Sequence, residues 1–232
     1  MKKLVKKSPV LAVLFVLAVL LLAVSGIQTG RAALTYKSEN YETQVDMKNI
    51  GIDILENGDV VSGGVLLEKM LSGDSGETDL VFGQTYTEEL ADKNTGSIDQ
   101  FARVTVTKYW ADIKGTDESG NPVAGEKRPD LNPEYIELGL SDAGWVEDGS
   151  VRTDEQCVLY CTSKLASSQV SKPFAVSVSI NPNAGRYTNC MFVIEVSADA
   201  VQTHNAESAV KSAWGVSVTV NDAGLSLKEG GN

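Results

Sequence analysis

The sequence predicts an all-β protein, a jelly-roll-like antiparallel β-sandwich with one short helix near the C-terminus. Three observations carry this expectation. Ala102, Val104, Val106 and Trp110 alternate with Arg103, Thr105, Thr107 and Tyr109, the two-residue period of a half-buried strand. About nine short segments of comparable pattern follow one another, with turn residues roughly every 8–12 positions. Only residues 204–214 read as a convincing helix.

Taken in order, residues 33–47 form an extended, weakly patterned segment with apolar positions at Leu34, Tyr36, Tyr41 and Val45. Apolar runs at 50–55 and 60–67 flank Asn57-Gly58, the strongest short hairpin signal because both residues accept φ > 0. Residues 66–71 also fit a helical turn, and 72–78 a Gly/Ser/acid loop. Residues 80–90 hold a strand with Tyr86 and Leu90 inward. Asn94-Thr95-Gly96-Ser97 then predicts a tight turn feeding the central strand, since Asn and Gly tolerate φ > 0.

Residues 111–133 are polar, rich in Gly, Asp and Pro, and without period, so they read as an inserted surface loop. Short strands follow at 135–140 and 144–147. Three alternating segments come next: 156–163 with Cys157, Leu159 and Cys161 on one face, 174–180 with Phe174, Val176, Val178 and Ile180, and 189–198 with Cys190, Phe192, Ile194 and Val196. The helix takes Asn205 or Thr203 as N-cap and Gly215 as its stop, with Val210, Ala213 and Trp214 toward the sheet. Val216, Val218 and Val220 are expected to close the sheet as a last strand. The sandwich domain thus spans 48–227, and 228–232 form a flexible tail.

The first 32 residues are expected to be a signal peptide. Lys2, Lys3, Lys6 and Lys7 precede an unbroken apolar run at 10–24, and Gly30-Arg31-Ala32 supplies a small-x-small cleavage site. The run is short of the ~20 residues that span a bilayer. Cleavage falls after Ala32 or after Ala33. It removes five of the 20 basic residues and none of the 31 acidic ones, so the net charge moves from −11 to about −16. That balance argues against nucleic acid and against anionic lipid as partners.

Candidate chemistry is sparse. Gly73-Asp74-Ser75-Gly76 matches a serine-protease nucleophile loop, but the sole histidine, His204, follows it, and Glu77 replaces the next glycine. One histidine cannot build a zinc site of several imidazoles. Asp117, Ser119, Gly120 and Asn121 fail the spacing of a calcium loop. No catalytic or metal residues are therefore assigned and no cofactor is expected, with weak Ca²⁺ binding by the many acids left open. Cys157 and Cys161, four residues apart on one strand, lie ~13 Å apart and cannot bridge each other. Either could meet Cys190, with Cys161–Cys190 the candidate disulfide, or all three are buried thiols acting as small apolar side chains.

The leader, residues 45–58, Gly83-Gln84-Thr85-Tyr86, Lys93-Asn94-Thr95-Gly96-Ser97-Ile98, and Ala200-Val201-Gln202 before the helix ending Ala213-Trp214-Gly215 follow one another in an order and spacing that resembles the TasA–camelysin family. These are exported surface and matrix proteins of Gram-positive bacteria whose leaders are cut by a SipW-type signal peptidase. The resemblance covers most of the chain after the leader but not 111–133. It implies a jelly-roll sandwich, secretion to the cell surface, and a filament or biofilm-matrix role. Some relatives are described as metallopeptidases, an activity for which this chain offers no histidine ligand set. The expectation is therefore a non-enzymatic fibre subunit. It associates with itself and with the envelope or matrix, keeps no membrane anchor after cleavage, and donates a strand through Leu34, Tyr36, Tyr41 and Val45. The alternatives are a surface adhesin and, behind it, a surface metallopeptidase.

Overall fold

The computed structural model describes residues 49–61, 67, 80–118, 122–222 and 224–228. The chain divides into Met1–Met47, outside those residues, and Lys48–Asn232. The second unit is an antiparallel β-sandwich. Its strands are β1 (Ile52–Glu56), β2 (Asp59–Val60), β3 (Thr85–Asn94), β4 (Gln100–Thr116), β5 (Pro122–Lys127), β6 (Ile136–Leu140), β7 (Trp145–Glu147), β8 (Gln156–Cys161), β9 (Ala175–Ile180) and β10 (Cys190–Gln202). Helix α1 (Ala206–Trp214) and a hairpin of β11 (Val218–Asn221) and β12 (Gly224–Leu227) complete it. One sheet runs β2-β1-β3-β9-β6 and the other β10-β4-β8-β7, with β5 added beside the far end of β4. The nested pairs β3/β9 and β4/β8, one in each sheet, give the fold its jelly-roll character.

The Asn57-Gly58 turn forms as its chemistry demands, with φ of 51° and 89° between the paired Glu56 and Asp59. The turn expected at 94–97 joins β3 to β4, but without positive φ at Asn94 or Gly96. The Asn94 side chain closes the turn instead. Its Oδ1 accepts from the Gly96 N–H, while its Nδ2 donates to the carbonyls of Ile98 and Leu165, each at 2.8 Å. Gly96 is needed for close approach: a Cβ there would lie 2.6 Å from the Asn49 carbonyl oxygen.

β4 is the backbone of the molecule. Ala102, Val104, Val106 and Trp110 point into the core and are buried, as the alternation predicts. The strand runs on to Thr116 and pairs with β5. The described residues of the stretch 111–133, expected as a loop, therefore form a two-stranded arm that leads to a 3₁₀ turn at Pro133–Tyr135. Both faces of the arm are largely wet, Ile113 and Val123 included, so it lacks the half-buried alternation by which a strand is recognised. Trp110 anchors the base of the arm. Its Nε1 donates to the Asn132 carbonyl at 2.9 Å, and its ring meets Tyr187 edge-on at 5.2 Å.

β9 departs from simple alternation. Phe174, Val178 and Ile180 are buried, but Val176 is 41% exposed. Its neighbour strands pair Ser177 with Thr87 and Gly139, and Ala175 with Leu90 and Leu140. Val176 is the extra residue opposite β6, and the bulge turns it outward while admitting Ala175 to the core.

A second apolar cluster lies on the other face of the β4 sheet. Phe101, Tyr160 and Val201 pack there against Ala206, Val210, Val218 and Leu225. Ala206 and Val210, with the half-buried Trp214, lie four residues apart and form the core-facing stripe of α1, whereas Ala213 is exposed. Asn205 stands at the helix start with φ of 52° and no side-chain cap bond; Gly215, at φ 77°, donates its N–H to the Lys211 carbonyl as a left-handed C-cap. Among the described residues β11 pairs only with β12, so Val216, Val218 and Val220 do not close the main sheet. They belong to a lid over its outer face, pinned by the Arg103 guanidinium, which bonds Asp199 at 2.6 Å and sits 5.3 Å from the Trp214 ring centre.

Candidate assembly edge

Among the described residues, β10 is the longest strand with a partner on one side only. All 13 of its residues pair with β4, and it ends its sheet. The parity of its backbone groups follows from β4. Lys108 donates its N–H to the Glu155 carbonyl and Trp110 accepts from the Arg128 N–H, so even-numbered residues of β4 aim their backbone groups away from β10. The odd-numbered ones, such as Tyr109 opposite Val193 and Thr107 opposite Glu195, form the ladder. On β10 the even residues Phe192, Ile194, Val196, Ala198 and Ala200 therefore turn their N–H and C=O outward. Among the described residues, no backbone group pairs with that row.

The same even residues carry the apolar side chains that reach the core. Ile194 is buried, while Phe192, Val196 and Ala198 are partly buried against it. β1 lies beside β10 across the mouth of the sandwich, with Ile52 and Ile54 half-buried. Among the described residues, only the two-residue β2 stands beyond β1. Lysine and proline, which commonly blunt exposed edges, are absent from Cys190–Gln202.

The other end of the same sheet differs. β7 has three residues, and Trp145 Nε1 donates to the Lys172 carbonyl at 2.8 Å. Arg152 pairs with Glu147 at 2.6 Å beside it. A cleft of about 830 Å³ lies between β7 and β12, lined by Val146, Glu147, Asp148, Val216, Ser226 and Leu227. Ser150 also lines it, its Oγ and N–H both donating to Asp148 Oδ1, at 2.6 and 3.0 Å; this is the side-chain contact of a turn, and no histidine stands among the lining residues.

A row of buried polar groups runs along β3. Tyr86, Glu88, Leu90, Asp92 and Asn94 alternate inward and all are buried. Glu88 Oε1 accepts from Asn57 Nδ2 at 2.9 Å. Among the described residues, Glu88 Oε2, both carboxyl oxygens of Asp92, and Gln100 Oε1 have no hydrogen-bond partner. Burial, then the adjacent Glu56 carboxylate, push the Glu88 carboxyl up to about 7. Burial alone pushes Asp92 up to about 8. The phase set by inward Tyr86 and Leu90 was the signal for both; two residues either way from Leu90 lead to them.

Ala32, Ala33, Leu34, Tyr36, Tyr41 and Val45 lie outside the described residues, as do Gly73-Asp74-Ser75-Gly76 and Ser119-Gly120-Asn121. His204 is exposed just before α1, its carbonyl accepting from Gln202 Nε2 at 3.3 Å. The Cys161–Cys190 pairing is corrected: Cys157, Cys161 and Cys190 are all free thiols. Cys161 stands at the Ala102 level of β4, one step past the Tyr160–Arg103 pair, and Cys190 stands opposite Asp112. Ten residues of strand separate those levels, ~33 Å and far beyond disulfide reach. Burial pushes all three thiols up, Cys161 to about 11, which disfavours the nucleophilic thiolate. Among the described residues, no group of three or more His, Cys, Asp or Glu side chains could hold a metal ion.

No family profile, curated protein or solved structure matches this chain.

Proposed function

We propose that the chain is a secreted structural subunit of an extracellular filament or biofilm matrix at a Gram-positive cell surface. Each subunit lends an N-terminal strand to β10 of the next. The observation that carries the reading is the one-sided pairing of β10 over its whole length. An added strand would satisfy a row of outward N–H and C=O groups and cover the half-buried Phe192, Val196 and Ala198, the two gains by which strand addition binds. Residues 33–47 are long enough to match the 13 residues of β10, and Leu34 and Tyr36 share one face of an extended chain. Because donor and acceptor are different surfaces, the contact is head-to-tail and propagates.

Electron microscopy of the purified chain after leader removal is expected to show fibres, and deleting residues 33–40 is expected to abolish them. Monodisperse particles across pH and salt would overturn the reading, and chelator-sensitive cleavage of casein would replace it with a surface metallopeptidase. A second reading, a surface adhesin, is favoured by the β4–β5 arm, which carries Ile113 and Val123 at 45% and 40% exposure. Loss of binding to envelope or matrix material on removing residues 113–126, with fibres intact, would select it.

A further inference from the structure

We propose that the inward carboxyls of Glu88 and Asp92 form a pH-sensitive seam, which fastens the β1–β2 hairpin to β3 while they are protonated and loosens it when they ionise. The seam is independent of whether the chain forms filaments. Glu56 is paired with Leu90 and Ile54 with Asp92, so Glu56, Glu88 and Asp92 share one face of the β1–β3 pair. The Asn57 turn is bolted to β3 around Glu88. The Asn57 N–H donates to the Glu89 carbonyl at 2.8 Å, the Glu89 N–H to Asn57 Oδ1 at 2.9 Å, and Asn57 Nδ2 to Glu88 Oε1 at 2.9 Å. Glu56 in turn accepts from the Leu67 N–H.

Glu88 is 1% exposed and Asp92 fully buried. As ions they are acceptors only, and three of their four oxygens have no donor among the described residues. A proton on Glu88 turns its unpartnered oxygen into a donor facing the Glu56 carboxylate, which converts a repulsion into a bond. Among the described residues no cation answers the pair, and Glu56 is the charge that acts on Glu88. Cys161, reaching in from β8, is the titratable group facing Asp92. The facing residues of β4 and β10, Ala102, Val104, Val106, Ile194, Val196 and Ala198, are uncharged. Beside Glu88, β9 presents Ser177 and the outward-turned Val176. Beside Asp92 stands Ser171, whose N–H donates to the Asp92 carbonyl and whose Oγ accepts from the Asp92 N–H and donates to the Lys172 carbonyl. Lys108 donates its ammonium to the Ile136 carbonyl, further along β4.

Both groups bind protons more tightly folded than unfolded. Their contribution is therefore complete below about pH 4 and is lost as pH rises through about 7 for Glu88 and about 8 for Asp92. Every tenfold tightening of proton binding in the fold changes the opening equilibrium by up to about tenfold once the proton is lost.

The test is amide hydrogen exchange of Ile52–Glu56 at pH 5 and pH 8.5, corrected for intrinsic rates and referred to the amides of β8. We expect protection of β1 to fall at least ~10-fold between the two pH values and to lose that dependence in the Glu88→Gln/Asp92→Asn double variant. Constant protection in the unaltered chain, or an unchanged pH dependence in a folded double variant, overturns the proposal. Should the double variant fail to fold, carboxyl ¹³C titration of the unaltered chain decides. Midpoints near neutrality support the seam; midpoints at ~4, the ordinary carboxylate range, overturn it.

Discussion

The two ends of the β10-β4-β8-β7 sheet teach different lessons. β7 ends the sheet with three residues, an indole hydrogen bond to Lys172 and an Arg152–Glu147 pair over its surface. That is how a sheet avoids unwanted pairing. β10 ends it with 13 residues, no lysine and no proline. Its outward backbone row stands next to side chains that are only half-covered. One sheet thus carries a protected edge and an open one, and strand addition at that sheet is confined to the β10 side.

The comparison breaks most sharply at neighbouring positions of β10. Ser197 turns its N–H into the β4 ladder, so Ser197→Pro removes a ladder bond inside the domain. It is expected to unfold the chain or lower its melting temperature by several degrees in calorimetry. Ala198 turns its N–H outward, so Ala198→Pro removes a donor that the fold does not use. That variant is expected to keep the far-ultraviolet dichroism and cooperative melt of the parent while forming no fibres. Equal assembly by the Ala198→Pro protein would place the contact elsewhere.

On the protected side, Trp145→Phe keeps the ring against Phe174, 5.5 Å away, and strips the donor from the Lys172 carbonyl. The expected cost is ~1–3 kcal/mol in denaturant unfolding, with fibre formation unchanged. Arg152→Ala breaks an exposed pair and should cost ~0–1 kcal/mol, again with no change in fibres. A large effect of either substitution on assembly would erase the distinction between the edges.

How much of the fold is legible in the sequence depends on how local the cause is. The Asn57-Gly58 hairpin, the inward row of β4, and Gly215 as helix stop are set by a few adjacent side chains, and all three are read directly. Val176 is misplaced by the pattern because a bulge is fixed by the partners of β9, which nothing within 174–180 reveals. The 111–133 arm reads as a loop because both its faces are wet. Val216 to Val220 read as a strand of the main sheet because alternation says which residues pair inward but not which strand they pair with. The same blindness covers β10. Its sequence shows Phe192, Ile194 and Val196 as core-facing, yet its place at the end of a sheet follows only from the topology. Glu88 and Asp92 are legible in principle, since inward Tyr86 and Leu90 set their phase, but a carboxylate on an inward face runs against the rule that buried charges are paired.

The central claim is that β10 accepts a strand. The most direct measurement is residue-resolved hydrogen exchange of the assembled protein against the monomer. The outward amides of Phe192, Ile194, Val196, Ala198 and Ala200 are predicted to gain protection on assembly. Those of Val193, Glu195 and Ser197, already in the β4 ladder, should change far less, and those of β7 not at all. Fibres in which the even-numbered amides of β10 exchange as fast as in the monomer would contradict the account.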